Sequence, residues 1–286
     1  MKKYRLISAA LAAALALAGC TTGTESTTTS STDSGDSAST TEKLRVGMEC
    51  NYAPFNWTTT EESETTVAIS DVDYADGYDV VIAAKLAEAV GREVEIVKTD
   101  WDALIPALKA GEIDCIIAGM TETEERALEV DFTSPYYISK EVVIVRKDSE
   151  LANITNIQEL SGYKVIGQMG TIYDDIIDQI EGVVHMDAAT DFPAAINALQ
   201  YGEVDAVTSE LPVAVGVTSA NDDLTYVEFD SENGFEGSET DASVSIAVAK
   251  DNTDLLDALQ EALDNISEEE REEIMTTAVE TQPASE

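Results

Sequence analysis

The sequence predicts an α/β fold built as two lobes of similar plan. Three observations carry this. Short apolar, β-branched runs alternate with segments whose apolar residues recur at helical spacing, as in a parallel sheet covered by helices. The alternation is broken by Asp131-Phe132-Thr133-Ser134-Pro135-Tyr136-Tyr137, and a second series starts at Tyr163. Between the two lies Val142 to Arg146, a β-branched run of the kind that crosses between domains.

Residues 1–20 read as a secretory signal. Lys2, Lys3 and Arg5 precede an apolar run from Leu6 through Ala18 that is too short and too Ala-rich to span a membrane well. The run ends in Leu17-Ala18-Gly19-Cys20, which resembles the lipobox of bacterial lipoproteins and implies that Cys20 carries the lipid. Residues 21–42 are almost wholly Thr, Ser, Gly, Asp and Glu. They hold too little apolar surface to offset the entropy of ordering and read as a disordered tether. The expected location is extracytoplasmic, with the chain tethered to the cell membrane through Cys20.

Leu44 to Met48 is the first strand, followed by the loop Glu49-Cys50-Asn51-Tyr52-Ala53-Pro54-Phe55. The polar stretch Thr58 to Asp76 reads as a β-hairpin excursion. Gly77-Tyr78-Asp79 opens a helix with Val80, Ala83, Ala84, Ala87 and Val90 on one face, closed by Gly91. Val94 to Val97 is the next strand. It leads to Trp101 and a short helix that Asp102 can cap, with Pro106 in its first turn and Gly111 at its end.

The apolar run Ile113 to Ile117 then enters Ala118-Gly119-Met120-Thr121-Glu122-Thr123-Glu124-Glu125-Arg126. Here Thr121 and Glu124 have capping-box spacing, and Arg126 follows five residues after Thr121. A strand end, free helix N–H groups and a guanidinium form a pocket suited to a small carboxylate. Alone, the stretch reads more readily as a capped helix carrying a surface arginine than as a ligand clamp.

In the second series, strands at Tyr163 to Gly167, Val183 to Met186 and Val204 to Val207 alternate with helices at Tyr173 to Ile180 and Phe192 to Tyr201, and a third helix is opened by Ser209-Glu210-Leu211-Pro212. Ser243 to Ala249 is one more strand. Helices Asp254 to Ile266 and Glu268 to Thr277 finish the chain.

Asp and Glu number 57 against 16 Lys and Arg, a net charge of −41. That sign disfavours nucleic acid, whose phosphates require cationic partners. Cys50 and Cys115 could pair outside the cytoplasm, but both fall on runs read as buried strands, which favours two apolar thiols. His185 reads as an ordinary strand residue without neighbours at metal-ligand spacing, and no nucleophile–base set or phosphate loop of recognisable spacing is present. No metal and no cofactor are expected.

From Leu44 to about Ile266 the chain resembles the extracellular solute-binding proteins of polar amino-acid ABC importers, the family-3 type with the two-lobed type II periplasmic-binding-protein fold. The resemblance rests on Tyr52-Ala53-Pro54-Phe55, Gly77-Tyr78-Asp79-Val80, Trp101-Asp102-Ala103-Leu104-Ile105-Pro106-Ala107-Leu108, Ala118-Gly119-Met120-Thr121 with Glu125-Arg126, Val130 through Tyr137, and Gly170-Thr171, in that order. It implies two lobes joined by two hinge strands, residues 43–138 with 246–286 forming the first and 139–245 the second. It also implies one free amino acid in the cleft between them, the membrane subunits of an ABC importer as partner, and a monomer.

Site residues follow from the same resemblance. Arg126 would take the ligand α-carboxylate, with backbone N–H groups of Thr121 and Thr171 near helix starts as further donors. The α-ammonium would meet the Gly119 carbonyl, the Thr121 hydroxyl and Glu210, where the family more often has the shorter Asp. Tyr52 and Trp101 would sandwich the ligand side chain, Glu49 would stand near its end, and Met120, Gln168 and Ile172 would lie beside the ligand. Two acids against one arginine lean the ligand toward a cationic amino acid such as lysine or arginine. The competing readings are an enzyme on the same fold, such as a cyclohexadienyl-dehydratase-like protein with Glu49 as its acid or base, and a ligand-presenting sensor component.

Overall fold

The structure, a computed structural model, describes residues 42–236 and 242–283. The expected signal, the lipidation site Cys20 and almost all of the tether lie outside the described residues.

The first lobe is built on a five-stranded sheet. Strand β1 (Lys43–Met48) runs parallel to β6 (Glu93–Lys98) and β7 (Cys115–Ile116); beyond β7 lies β14 (Ser243–Ala249), antiparallel both to β7 and to β8 (Val130–Ile138) on its other side, in the order β6-β1-β7-β14-β8. Leu44, Val46, Met48, Ile116, Ile246 and Val248 are fully buried, as expected for strands covered on both faces. Helices α1 (Tyr78–Ala89) and α2 (Leu104–Ala110) pack on this sheet.

The second lobe repeats the plan. Its sheet takes the order β11-β10-β12-β9-β13, with β10 (Lys164–Ile166) parallel to β11 (Val184–His185) and β12 (Ala206–Glu210). Antiparallel to β12 runs β9 (Glu141–Arg146), which pairs in turn with β13 (Leu224–Glu228). Helices α4 (Ile172–Asp175), α5 (Phe192–Gln200) and α6 (Leu211–Ala220) complete it.

The outward crossing runs from β8 through Ser139 and Lys140 into β9, and the Ser139 amide donates to the Ala242 carbonyl of the returning chain at 3.2 Å. Residues 243–245, which the expected boundary placed in the second lobe, belong to the first lobe's sheet, because β14 pairs with β8 from Ser243 onward. After α7 (Thr253–Asp264), helix α8 (Glu268–Thr281) packs against both α1 and α6, so the chain's end touches both lobes.

Several local expectations change. The excursion at 58–76 is part of a four-stranded sheet of β2 (Asn51–Tyr52), β3 (Asn56–Thr59), β5 (Tyr74–Asp76) and β4 (Val67–Ala68), not a single hairpin. Asp102 caps nothing: it sits inside a 3₁₀ turn, Trp101–Ala103, which precedes α2. The helix after β7, α3 (Glu124–Ala127), starts two residues later than the expected capping box, because Thr123 is the cap and accepts the Arg126 amide at 3.2 Å. Helix α4 is one turn long and continues as a 3₁₀ turn, Ile176–Gln179. Strand β13 has no counterpart in the sequence reading.

Candidate functional site

The cleft between the lobes is lined by the loop after β1, the turn after β7, and the turn after β10. The first is set by an unusual backbone. Cys50 takes a left-handed conformation, φ 57°, which turns the chain directly after Glu49. The turn is held by a buried relay: the Cys50 amide donates to Asn56 Oδ1 at 2.8 Å, and Asn56 Nδ2 donates to Asp79 Oδ2 at 2.8 Å. Asp79 Oδ1 accepts the Tyr136 hydroxyl at 2.7 Å, and that hydroxyl accepts the Gly119 amide at 2.9 Å. The loop and the turn are thus joined through one fully buried carboxylate. Burial pushes the Asp79 carboxyl up to about 7, although its bonds from Tyr136 and Asn56 oppose the shift.

Gly119 sits at φ 60°, where a side chain would be strained, and a Cβ there would meet the Tyr52 ring at 3.2 Å. The turn therefore lies flat against Tyr52. Gly119 and Thr121 line the cleft while Met120 turns into the core, 1 % exposed. Met120, expected beside the ligand, packs in the core and does not line the cavity.

Glu49, Tyr52, Trp101, Gly119, Thr121 and Arg126 line one side of a small cavity; Gln168, Thr171, Ile172 and Tyr173 line the other. The walls leave about 20 Å³ for the centre of a water-sized sphere, so the lobes stand closed on one another. Contacts across the cleft agree. Trp101 Nε1 donates to the Gly170 carbonyl at 3.0 Å, Arg126 Nη2 donates to the same oxygen at 2.9 Å, and Gln168 Nε2 reaches both Glu49 carboxylate oxygens at 3.4 Å.

Arg126 Nη1 also donates to the Thr121 carbonyl at 2.6 Å. A guanidinium has five N–H donors, and the rest here have no protein partner among the described residues. Burial lowers the Arg126 pKa, against Asp175 and Glu125, which raise it. Thr121 is three residues ahead of a four-residue helix, and α4 is equally short, so neither backbone N–H draws on a long helix dipole. Because Thr123 caps α3, the Thr121 hydroxyl is not engaged by the helix.

Glu210 does not line the cavity. It is fully buried behind Tyr52, whose hydroxyl donates to Glu210 Oε1 at 2.6 Å. Burial raises its carboxyl to about 7, with the hydroxyls of Tyr52, Ser139 and Tyr173 opposing. Glu49, 8 % exposed, is likewise raised to about 7 by burial, with the Gln168 amide opposing and Asp191, Asp100 and Asp102 adding to the shift. Tyr52 stacks on Phe55, 5.6 Å between ring centres, and meets the edge of Phe192 from the second lobe at 5.5 Å.

Sequence reasoning missed Tyr173 and Phe192. The available signal for Tyr173 was an aromatic hydroxyl two residues after Thr171, in the first turn of a helix leaving a strand end. Away from the cleft, His185 has Asp178 and Asp174 on its two ring nitrogens at 2.9 and 3.0 Å, carboxylates that its spacing in sequence did not suggest. Among the described residues no group of His, Cys, Asp and Glu is arranged to hold a metal ion, and Cys50 and Cys115 are free, buried thiols.

The family model of the bacterial extracellular solute-binding proteins, family 3, matches residues 44–279. A probable histidine-binding protein of Campylobacter jejuni is 34% identical over 202 residues, 70% of this chain and 73% of that protein. The arginine-binding extracellular protein ArtP of Bacillus subtilis is 29% identical over 268 residues, 92% of each chain. Among solved structures, an amino acid ABC transporter substrate-binding protein of Streptococcus pneumoniae bound to L-arginine superposes with a TM-score of 0.71 at 27% identity, covering 85% of this chain and 95% of that one.

Proposed function

This chain belongs to the bacterial extracellular solute-binding proteins, family 3, and from that premise we propose that it is a lipid-anchored, extracytoplasmic binding protein that delivers a cationic amino acid, arginine or lysine, to an ABC importer. Residues 43–138 with 243–283 would form one lobe and 139–242 the other. Arg126 would hold the ligand carboxylate, with the Thr121 and Thr171 amides beside it. Glu210 would answer the ammonium through the hinge end of the cleft, with the Gly119 carbonyl and Thr121 hydroxyl. Tyr52 and Trp101 would flank the side chain, and Gln168 and Ile172 would close over it.

The observation that carries the cationic reading is Glu49. It is a carboxyl enclosed at the cleft wall, with the neutral Gln168 amide as its hydrogen-bond partner and three further acids, Asp191, Asp100 and Asp102, acting on it. A buried carboxylate with no cation is costly, and a guanidinium or ammonium on a ligand would supply the missing charge. The relative named for arginine supports the same class.

Isothermal titration of the purified protein against the common amino acids tests this. Arginine or lysine should bind best, and Glu49→Gln should weaken them selectively while sparing amino acids with amide side chains. Heat with no amino acid would end the reading, and equal losses for every ligand would remove Glu49 from the side-chain end. The anchor is tested separately: Cys20→Ala should release the protein into the medium, with binding unchanged.

A further inference from the structure

We propose that Tyr173 is a positioning residue that fixes the Glu210 carboxylate for the ligand's ammonium group, and that it is needed because glutamate stands where a shorter acid would suffice. This rests on the amino-acid reading above.

Glu210 ends β12 and is fully buried. One of its oxygens is fixed by Tyr52 from the first lobe at 2.6 Å. The other, Oε2, is enclosed and has no aligned donor. Two further hydroxyls are in the same condition: those of Tyr173, itself 8 % exposed, and of Ser139 in the crossing segment between β8 and β9. Both stand close enough to act on the Glu210 carboxyl. Buried polar atoms rarely stay unpaired, and a carboxylate flanked by two unpaired hydroxyls has acceptor and donor capacity in one place.

A primary ammonium fits that combination. It donates to Oε2 and, with its other N–H groups, to hydroxyl oxygens, while each hydroxyl can donate to the carboxylate in turn. The extra methylene of Glu210 gives its carboxyl one more rotatable bond than Asp would have. Tyr52 from one side and Tyr173 from the other restrict that freedom, and both tyrosines line the cavity in front of Glu210. Tyr173 is in turn placed by the backbone: the Thr208 hydroxyl of β12 donates to its carbonyl, and Gly167 packs directly beneath α4. Other ionisable groups act on this cluster. Asp79 on α1 raises the Glu210 carboxyl, Tyr137 on β8 feels its charge, and Glu141 of β9 pairs with it in register.

The test is a titration of wild type, Tyr173→Phe, Glu210→Gln, Glu210→Asp and the double variant Glu210→Asp/Tyr173→Phe with the best-bound amino acid, from pH 5.5 to 8.5. Loss of a hydrogen bond to a charged group predicts about 10-fold weaker binding for Tyr173→Phe. The hydroxyl lowers the carboxyl's proton affinity, so removing it should also move the pH at which affinity falls upward, which a purely structural defect would not do. In the Glu210→Asp background, Tyr173→Phe should cost under about 2-fold, because the shorter carboxyl no longer reaches the hydroxyl. If Tyr173→Phe binds within 2-fold of wild type at every pH while Glu210→Gln loses binding, the positioning role is overturned and the amino-acid reading stands. If Glu210→Gln binds like wild type, the ammonium assignment itself falls.

Discussion

The guanidinium carbon of Arg126 lies 5.2 Å from the centre of the Trp101 ring, and both side chains donate to one acceptor, the carbonyl oxygen of Gly170. Two residues of the first lobe are thereby fixed on a turn of the second. The arrangement predicts that lysine will not substitute for Arg126. A single ammonium cannot reach the Thr121 and Gly170 carbonyls in a plane, stack on the indole and still present further donors. Arg126→Ala should weaken amino-acid binding at least about 100-fold, and Arg126→Lys should recover only a small part of it. Circular dichroism should report an unchanged fold for both. Binding retained by Arg126→Ala would remove the carboxylate clamp.

Gly167 offers a test of the second lobe's contribution. A Cβ there would stand 2.6 Å from the Asp174 Cα and 2.7 Å from the Tyr173 carbonyl, both backbone atoms that cannot step aside individually. Gly167→Ala should therefore push α4 away from β10, carrying Thr171, Ile172 and Tyr173 with it. Weakened ligand binding together with a lowered thermal midpoint is expected. An unchanged affinity would show that the position of α4 does not matter to the site.

Much of this was legible in the chain, for identifiable reasons. The strands β1 and β14 announce themselves because most of their residues are buried and apolar. Gly119, Thr121 and Arg126 could be grouped because they lie within eight residues of one another, on one turn and the short helix after it. Tyr173 and Phe192 could not, since their part in the site depends on lobe-to-lobe geometry that no local pattern encodes. The error at the capping box has a local cause. Thr121 and Thr123 are both competent caps, and it is Thr123, with extended backbone, whose side chain accepts the Arg126 amide and starts the helix. Strand β13 is short and only partly buried, so its alternation is faint.

The relay from Cys50 through Asn56, Asp79 and Tyr136 to Gly119 makes a stability prediction. Tyr136→Phe removes one hydroxyl that both donates to Asp79 and accepts from Gly119, leaving the buried Asp79 Oδ1 and the part-buried Gly119 amide without that partner. A cost of about 1–3 kcal/mol is expected, and each kcal/mol should lower the thermal midpoint by roughly 2–4 °C. Binding should weaken too, because Gly119 is no longer tied to the first loop. A midpoint within a degree of wild type would mean that the relay contributes little.

Three buried acids set the pH dependence of stability. Burial raises Glu49, Asp79 and Glu210 to about 7 in the folded chain, whereas the ordinary values are 4.5 for Glu and 3.8 for Asp. The fold thus binds these protons more tightly than the unfolded chain, so their contribution is complete below about pH 4 and is lost as the pH climbs through about 7. His185 acts in the same sense. Partial burial lowers its pKa, but hydrogen bonds to Asp174 and Asp178 outweigh this and raise it, so its stabilisation is present below 6.5 and fades above the raised value. Asp114, lowered by Arg45 against its own burial, opposes only on the acid side, where its stabilisation is lost as pH falls below 3.8. The ligand-free protein should therefore melt higher near pH 5 than at pH 8, and Glu49→Gln should flatten the difference. A bound amino acid should oppose the Glu210 part of this trend, because its ammonium favours the ionised carboxylate. The gap between loaded and ligand-free melting curves should widen from pH 5 to pH 8, and a gap that narrows would show that the ammonium does not depend on a titrating acid.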